Sequence, residues 1–441
     1  MAHCRVRLEI SQLESLNISS PKRNRNMQTG WERFFPYYAG YPEIFVEDLL
    51  GSAGLPANSV VFDPWNGSGT STLVASRLGH KAIGLDINPV MVVIARARML
   101  PPSEADSLVP LALTISTKTP RRVAVVANDP LEEWFVPATA AKIRQIEGAI
   151  RQSTVGGTTP PGCVVDIGRI SGLAATLYLG LFATCRSLSH ARRSTNPTWM
   201  RKPRSDAQKT VAPVGEVTQV FVDNVRAMAA ELAATEKSKP AVPPWVIEVA
   251  DTTSTELSPS SVDFVVTSPP YCTRIDYTAA TRIELAILAP ILPEAREELS
   301  RNMVGSIRVP IKEIVPSVLW GRACNEFLKQ VKDHDSKASS TYYYRTHLDY
   351  FDKISKSLSR ISSALRPGGV ACLVVQDSYY KEIHNDLPAI VVEMCESQNL
   401  RLGRREDFRF NRSMMRVNRH TKIYGRPSVP TEAVLCFEKV S

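Results

Sequence analysis

A chain of 441 residues, 44% hydrophobic and 22% charged, suits a globular fold with room for one large domain carrying an insertion, or for two domains. No run of about 18 uninterrupted apolar residues occurs, which argues against a membrane-spanning helix. Eight widely spaced cysteines with no C-x-x-C pair argue against a disulfide framework or a metal site such as zinc.

The formal net charge of +9 suits a polyanionic partner. The opening "MAHCRVRLEISQLESLN" lacks the apolar core of a signal peptide, and with the cysteine pattern this points to the cytoplasm. Residues 24–50 mix aromatics and prolines ("GWERFFPYYAGYP") ahead of a short amphipathic helix, "EIFVEDLLGSAG". The next stretch reads as strand 59–62, glycine loop 63–69, helix 70–78, strand 81–85, turn 86–89 and helix 90–100, the opening of a parallel α/β sheet. From 101 to 240 the alternation loosens into helical runs at 137–152 and 217–236, a buried helix at 170–185 and a basic stretch at 190–209.

Strands return at 245–251 and 262–268, followed by a helix at about 276–289 and a loop-rich connection to about 340. A long helix then runs up to Pro367-Gly368-Gly369, where the prolyl ring and glycines predict a stop. A strand, "VACLVVQDS", a helix, "LPAIVVEMCESQNL", and two strands, "REDFRF" and "EAVLCFEKV", complete the chain as an antiparallel hairpin on a largely parallel sheet.

Two places carry chemistry. In "FDPWNGSGTST" (62–72), Gly67 and Gly69 follow a strand and open a helix, where glycine permits positive φ and close approach of a ligand to backbone N–H groups. Thr70 stands where a nucleoside-triphosphate loop needs Lys, and Thr72 where a dinucleotide loop needs its third glycine. Asp86 ends the next strand about 20 residues on, where an α/β nucleotide site places an acid for ribose hydroxyls; capping the following helix is the alternative reading. The second place is "TSPPY" (267–271), an apolar strand ending on two prolines, which lack N–H groups and lock φ.

Together, "DPWNGSGTS", "GLDINP" and "TSPPY" resemble the cofactor loop, the ribose acid and the catalytic motif of the amino-group DNA methyltransferases that use S-adenosyl-L-methionine. "GWERFFPYYAGYP" and "LRPGGVACLVVQDSYY" are similar to flanking segments of that family. The resemblance implies a Rossmann-like methyltransferase fold with a largely helical insertion. Residues 1–100 would form the cofactor-binding half, 101–240 an insert with a possible target-recognition role, and 241–441 the catalytic half. It assigns Asp63, Pro64, Asn66, Gly67, Gly69, Thr70 and Asp86 to the cofactor. Asp251 is a further candidate against the adenine ring, or else a turn residue. Phe35, beside Phe34 and Pro36, either packs on the cofactor or belongs to the ordinary core.

The motif has a physical logic. An exocyclic base amine is a poor nucleophile because its lone pair is delocalised, so the base must leave the stack and be held. Ser268 and the carbonyl of Pro269 are acceptors for the amine protons, Pro270 stiffens the step, and Tyr271 offers a stacking ring. No covalent adduct is needed, so Cys272 reads as a small filler.

Arg192, Arg193, Arg201 and Arg204 in the insert, and Arg412, Arg416 and Arg419 near the C-terminal strand, are candidates for phosphate contacts to double-stranded DNA, with a solvated charged face as the alternative. In the resembling family, Ser before Pro-Pro-Tyr goes mostly with cytosine N4. Adenine N6, RNA amine methylation, and a non-catalytic cofactor- and DNA-binding subunit are the alternatives, and a cognate restriction or defence component is a conceivable companion.

Overall fold

The computed structural model describes residues 13–23, 30–35, 40–118, 128–155, 165–189, 200–235, 244–272, 277–293, 296–309, 313–409 and 431–440. Helix α1 (Glu43–Ser52) precedes the alternation β1 (Val60–Asp63), α2 (Thr70–Arg77), β2 (Lys81–Asp86), α3 (Pro89–Arg98). Helices α4 (Ala105–Thr117), α5 (Pro137–Ile150), α6 (Gly172–Leu188) and α7 (Val214–Ala234) follow. The sheet resumes with β3 (Trp245–Val249) and β4 (Val262–Thr267). After them come α8 (Arg282–Leu288), α9 (Gly321–Asp333), α10 (Tyr344–Ala364), β5 (Leu365–Gln376), α11 (Leu387–Glu396), β6 (Leu400–Arg409) and β7 (Thr431–Lys439).

The seven strands form one sheet in the order β3-β2-β1-β4-β5-β7-β6. The first five are parallel, while β7 runs antiparallel to both β5 and β6. This is the Rossmann-like methyltransferase fold with its terminal antiparallel hairpin. Strands β1 and β4 are buried along nearly their whole length, as parallel strands covered on both faces must be. One face packs Val61, Phe264 and Val266 against Phe45 and Leu49 of α1 and Val74 of α2. The other packs Phe62, Val265 and Leu373 against Phe327 of α9, Phe351 of α10 and Val391 of α11.

A third apolar core holds the insert helices. All ten residues of α3 are buried: the apolar ones are packed on more than one side, and Arg96 and Arg98 are buried with hydrogen-bond partners. Its apolar side chains share one core with Leu177 and Phe182 of α6, Ile143 of α5 and Phe221 of α7. Helices α6 and α7 cross so closely that a Cβ on Gly180 would lie 2.7 Å from Val225 Cγ2.

Two buried arginines tie this body to α8. Arg144 of α5 donates to both carboxylate oxygens of Asp129 at 2.7 Å and to the carbonyl of Ile287 at 2.6 Å. Arg186 of α6 donates to Glu284 Oε1 at 2.5 Å and to the carbonyl of Ala280 at 2.6 Å.

Two local expectations differ from the structure. The helix read over 276–289 is broken into Tyr277–Ala280 and Arg282–Leu288, with Thr281 between them. The long helix ends at Ala364, and Pro367-Gly368-Gly369 lies inside β5 rather than beyond a helix stop. There the register against β4 jumps from Val262↔Leu365 to Phe264↔Val370, and Gly368 takes φ +76° at the irregularity.

Candidate active site

Strands β1, β2 and β4 end side by side, and β1 lies between strands reached on opposite sides. An open α/β sheet binds ligands at such a crevice, outside the carboxyl ends of its strands. A cleft of about 1060 Å³, counting its open mouth, occupies this place. Its walls bring together Asp63, Asn66, Gly67, Thr70, Asp86 and Asp251 with Ser268, Pro269, Pro270 and Tyr271.

The glycine loop is shaped by positive φ at Gly67 (+50°) and Gly69 (+81°), and a Cβ on Gly69 would stand 2.7 Å from Ala95 Cβ on α3. Gly84 of β2 leaves room for the Asn66 side chain, since a Cβ there would meet it at 2.5 Å. Asn66 Oδ1 accepts from Thr72 Oγ1 at 3.1 Å, while its buried Nδ2 has no protein acceptor. Asn66 itself lines the cleft, with this amide packed over Gly84. Arg98, buried under the loop, donates to the Ser68 carbonyl at 3.0 Å and to Thr70 Oγ1 at 3.2 Å.

The two acids at the strand ends differ. Asp63 accepts from Trp65 N at 3.1 Å, Thr267 Oγ1 at 2.5 Å, Tyr41 Oη at 3.4 Å and the Ser71 hydroxyl. Buried and holding four donors, Asp63 braces the loop from within. Asp86 accepts from Gly67 N at 2.9 Å and Asn88 N at 2.8 Å and keeps a partly exposed side toward the cleft. Burial pushes each acid up to about 6. The N-cap of α3 is Asn88, whose Oδ1 accepts from Val90 N at 3.1 Å, so Asp86 does not cap that helix. Asn88 Nδ2 donates to Thr281 Oγ1 at 3.0 Å, joining the turn after β2 to the break before α8.

Of the residues assigned from sequence, Pro64, Gly69 and Phe35 are not part of the cleft wall, while Asp251 is. The Pro64 carbonyl accepts from Thr252 Oγ1 at 2.6 Å. Asp251 both lines the cleft and accepts from Thr253 N at 2.8 Å, so the turn and the wall coincide. Phe35 is buried away from the cleft in the helical core, with the Arg186 guanidinium 4.5 Å from its ring centre, which corrects its placement toward ordinary packing.

The Ser-Pro-Pro-Tyr step is held by three different elements. The Ser268 hydroxyl donates to the Val374 carbonyl of β5 at 3.0 Å. Tyr350 of α10 donates to the Pro270 carbonyl at 2.8 Å, and the Tyr271 hydroxyl donates to Glu432 Oε1 of β7 at 3.3 Å. The neighbouring Cys272 is buried, and burial pushes its thiol up to about 12, far from a reactive thiolate.

Arg201 and Arg204 are exposed, whereas Arg192, Arg193, Arg412, Arg416 and Arg419 lie outside the described residues. Among the described residues no cluster of His, Cys, Asp and Glu has metal-ligand geometry, and no helix is long and apolar enough to cross a membrane. Sequence reading missed Tyr41, Asn88, Thr252 and Met303 as wall residues. Asn88 carried a signal, an Asn-Pro dipeptide opening a helix, while Met303 arrives from a distant loop with none.

The family of DNA methylases of the N6/N4 type matches residues 9–97. The chain is 22% identical over 309 residues to the Type II methyltransferase M.BsoBI of Geobacillus stearothermophilus, a match covering 65% of this chain and 58% of that protein. Among solved structures, the rRNA methyltransferase aviRa from Streptomyces viridochromogenes aligns over 99% of this chain and 96% of its own, with 12% identity and a TM-score of 0.28. The two sequence matches support assignment to the amino-group DNA methyltransferases.

Proposed function

We propose, from that assignment, that the chain transfers a methyl group from S-adenosyl-L-methionine to the exocyclic N4 amine of a flipped cytosine in double-stranded DNA. The observation that carries the reading is one cleft joining the glycine loop and Asp86 to Ser268–Tyr271.

The residues present fit the cofactor. Asp86 retains a cleft-facing side for ribose hydroxyls, Asn66 Nδ2 is a buried donor without a protein acceptor, and Gly67 and Ser68 of the loop line the same cleft. When bound, S-adenosyl-L-methionine would supply an electrophilic methyl group to the amine lone pair, its sulfur retaining the bonding pair and leaving as the neutral thioether. The Ser268 hydroxyl donates its hydrogen bond to the Val374 carbonyl, which leaves its oxygen lone pairs to accept from the amine. That withdraws the lone pair from the ring and orients it, and the surplus amine proton departs to water. Tyr271 supports the ring by stacking, worth about 1–3 kcal/mol. Because the acceptors are fixed in advance, no reorganisation accompanies the transfer. Arg201 and Arg204 are exposed in the basic stretch and contact phosphates in this reading; their joint replacement by Ala lowers the salt dependence of DNA binding, and an unchanged log-log slope would remove them from the interface.

The deciding experiment is nucleoside analysis of DNA treated with the purified protein and cofactor. N4-methylcytosine is expected; N6-methyladenine selects the alternative amine, and 5-methylcytosine refutes the mechanism, since carbon methylation needs a covalent cysteine adduct. Asp86→Ala should weaken cofactor binding by about 1.5–3 kcal/mol, the worth of a hydrogen bond to a charged group. In the free protein, protonation of the raised acid removes its charge and turns one acceptor oxygen into a donor, so wild-type affinity is full above about pH 7 and falls as pH drops through about 6. Calorimetry across this range should find a much flatter profile in Asp86→Ala; equal affinity in the two proteins at neutral pH removes the ribose role.

A further inference from the structure

Resting on the reading above, we propose that Glu432 is a positioning residue for the target base: by holding the Tyr271 hydroxyl it fixes the tilt of the stacking ring and makes its face electron-rich toward the charge that develops on the methylated base.

Glu432 is the second residue of β7, paired with Gln376 at the end of β5, so it stands at the same sheet edge as Ser268. The backbone there is pinned in both directions. Thr431 N donates to Asp377 Oδ1 at 2.9 Å, and Asp377 N donates to the Thr431 carbonyl at 3.1 Å. The Glu432 side chain is buried, 9% exposed, with the Tyr271 hydroxyl 3.3 Å from Oε1. Burial raises its pKa, while the Tyr271 hydrogen bond and the Lys22 ammonium act against that rise.

A buried carboxylate is an expensive way to satisfy a phenol. Water or a backbone carbonyl would serve a tyrosine that only fills space. A carboxylate is the stronger acceptor; at 3.3 Å the bond is long, and its shortening when a base stacks on the ring would draw the phenolic proton toward Glu432 and raise electron density in the ring. Methyl transfer moves positive charge onto the base stacked against that ring, and an electron-rich face attracts a cation. The acid therefore acts through Tyr271 and touches neither base nor cofactor.

The test uses the full chain in two arms. With 3-fluorotyrosine incorporated, the Tyr271 resonance is identified by its loss in Tyr271→Phe. Glu432→Gln, which keeps size and an acceptor but loses the charge, should move that resonance. In methyl-transfer assays E432Q should lower kcat about tenfold, a part of what one desolvated cation–π contact is worth, since the ring itself stays in place. KM for DNA and for cofactor should stay near wild type. Tyr271→Phe should show the same loss, and E432Q should add nothing to it. An unmoved fluorine resonance overturns the clamp, and additive losses or a change in KM alone overturn its electronic role. A wild-type protein that transfers no methyl group would instead overturn the functional reading together with that electronic role, while the fluorine shift still decides the clamp.

Discussion

Ser268→Ala lowers the rate of methyl transfer at saturating DNA and cofactor by about 10²–10³-fold, the usual worth of one preorganised hydrogen-bonding group at a reacting centre. The hydroxyl is committed to the Val374 carbonyl as a donor, so what the substitution removes from the cleft is an acceptor fixed in direction. Cofactor binding should be unaffected, because Asp86 and the glycine loop are untouched. A radiolabelled-methyl assay at saturation, beside calorimetry of cofactor binding, checks both halves. A loss of less than about threefold in kcat would place the acceptor function on another group.

Arg186→Met destabilises the protein by about 3–5 kcal/mol, because it strands a buried carboxylate. Glu284 is fully buried and its Oε1 lies 2.5 Å from the Arg186 guanidinium. The double substitution Arg186→Met with Glu284→Gln should recover much of that loss, since no unpaired charge is then left inside. Urea unfolding midpoints of the two variants against the parent measure the difference. A single variant as stable as the parent would mean that the pair contributes nothing to joining α6 to α8.

The parallel half of the sheet was legible because its punctuation is local. Val-rich runs bounded by Gly67, Gly69 and Asp86 state where strands end and helices begin. The Ser-Pro-Pro-Tyr step was legible for the same reason, since two prolines admit few conformations. What escaped depends on residues far apart in the chain. Gly84 looks like any small strand residue until Asn66 folds over it. Glu432 stands between Thr431 and the apolar run from Ala433 to Phe437, and only the antiparallel pairing of β7 with β5 carries it to Tyr271, 161 positions away. Pro367-Gly368-Gly369 has the composition of a helix stop, yet the pull of the β4 edge turned it into an irregularity within β5. Phe35 was drawn toward the cofactor by its neighbours in sequence, whereas the Arg186 guanidinium gave it a place in the helical core.

The fully buried α3 bears on any attempt to redirect specificity by trading parts between related enzymes. An interchangeable module needs a seam that is polar on both sides, so that either piece can face water or a new neighbour. Among the described residues of 101–240 the seam against α3 is mostly apolar, because Leu177 and Phe182 of α6 share one core with Val92, Val93 and Ile94, and its polar contact, from Arg96 to the Ile170 carbonyl, is buried. Grafting that stretch from another enzyme is therefore a core transplant, and the donor's α3 and α8 would have to travel with it.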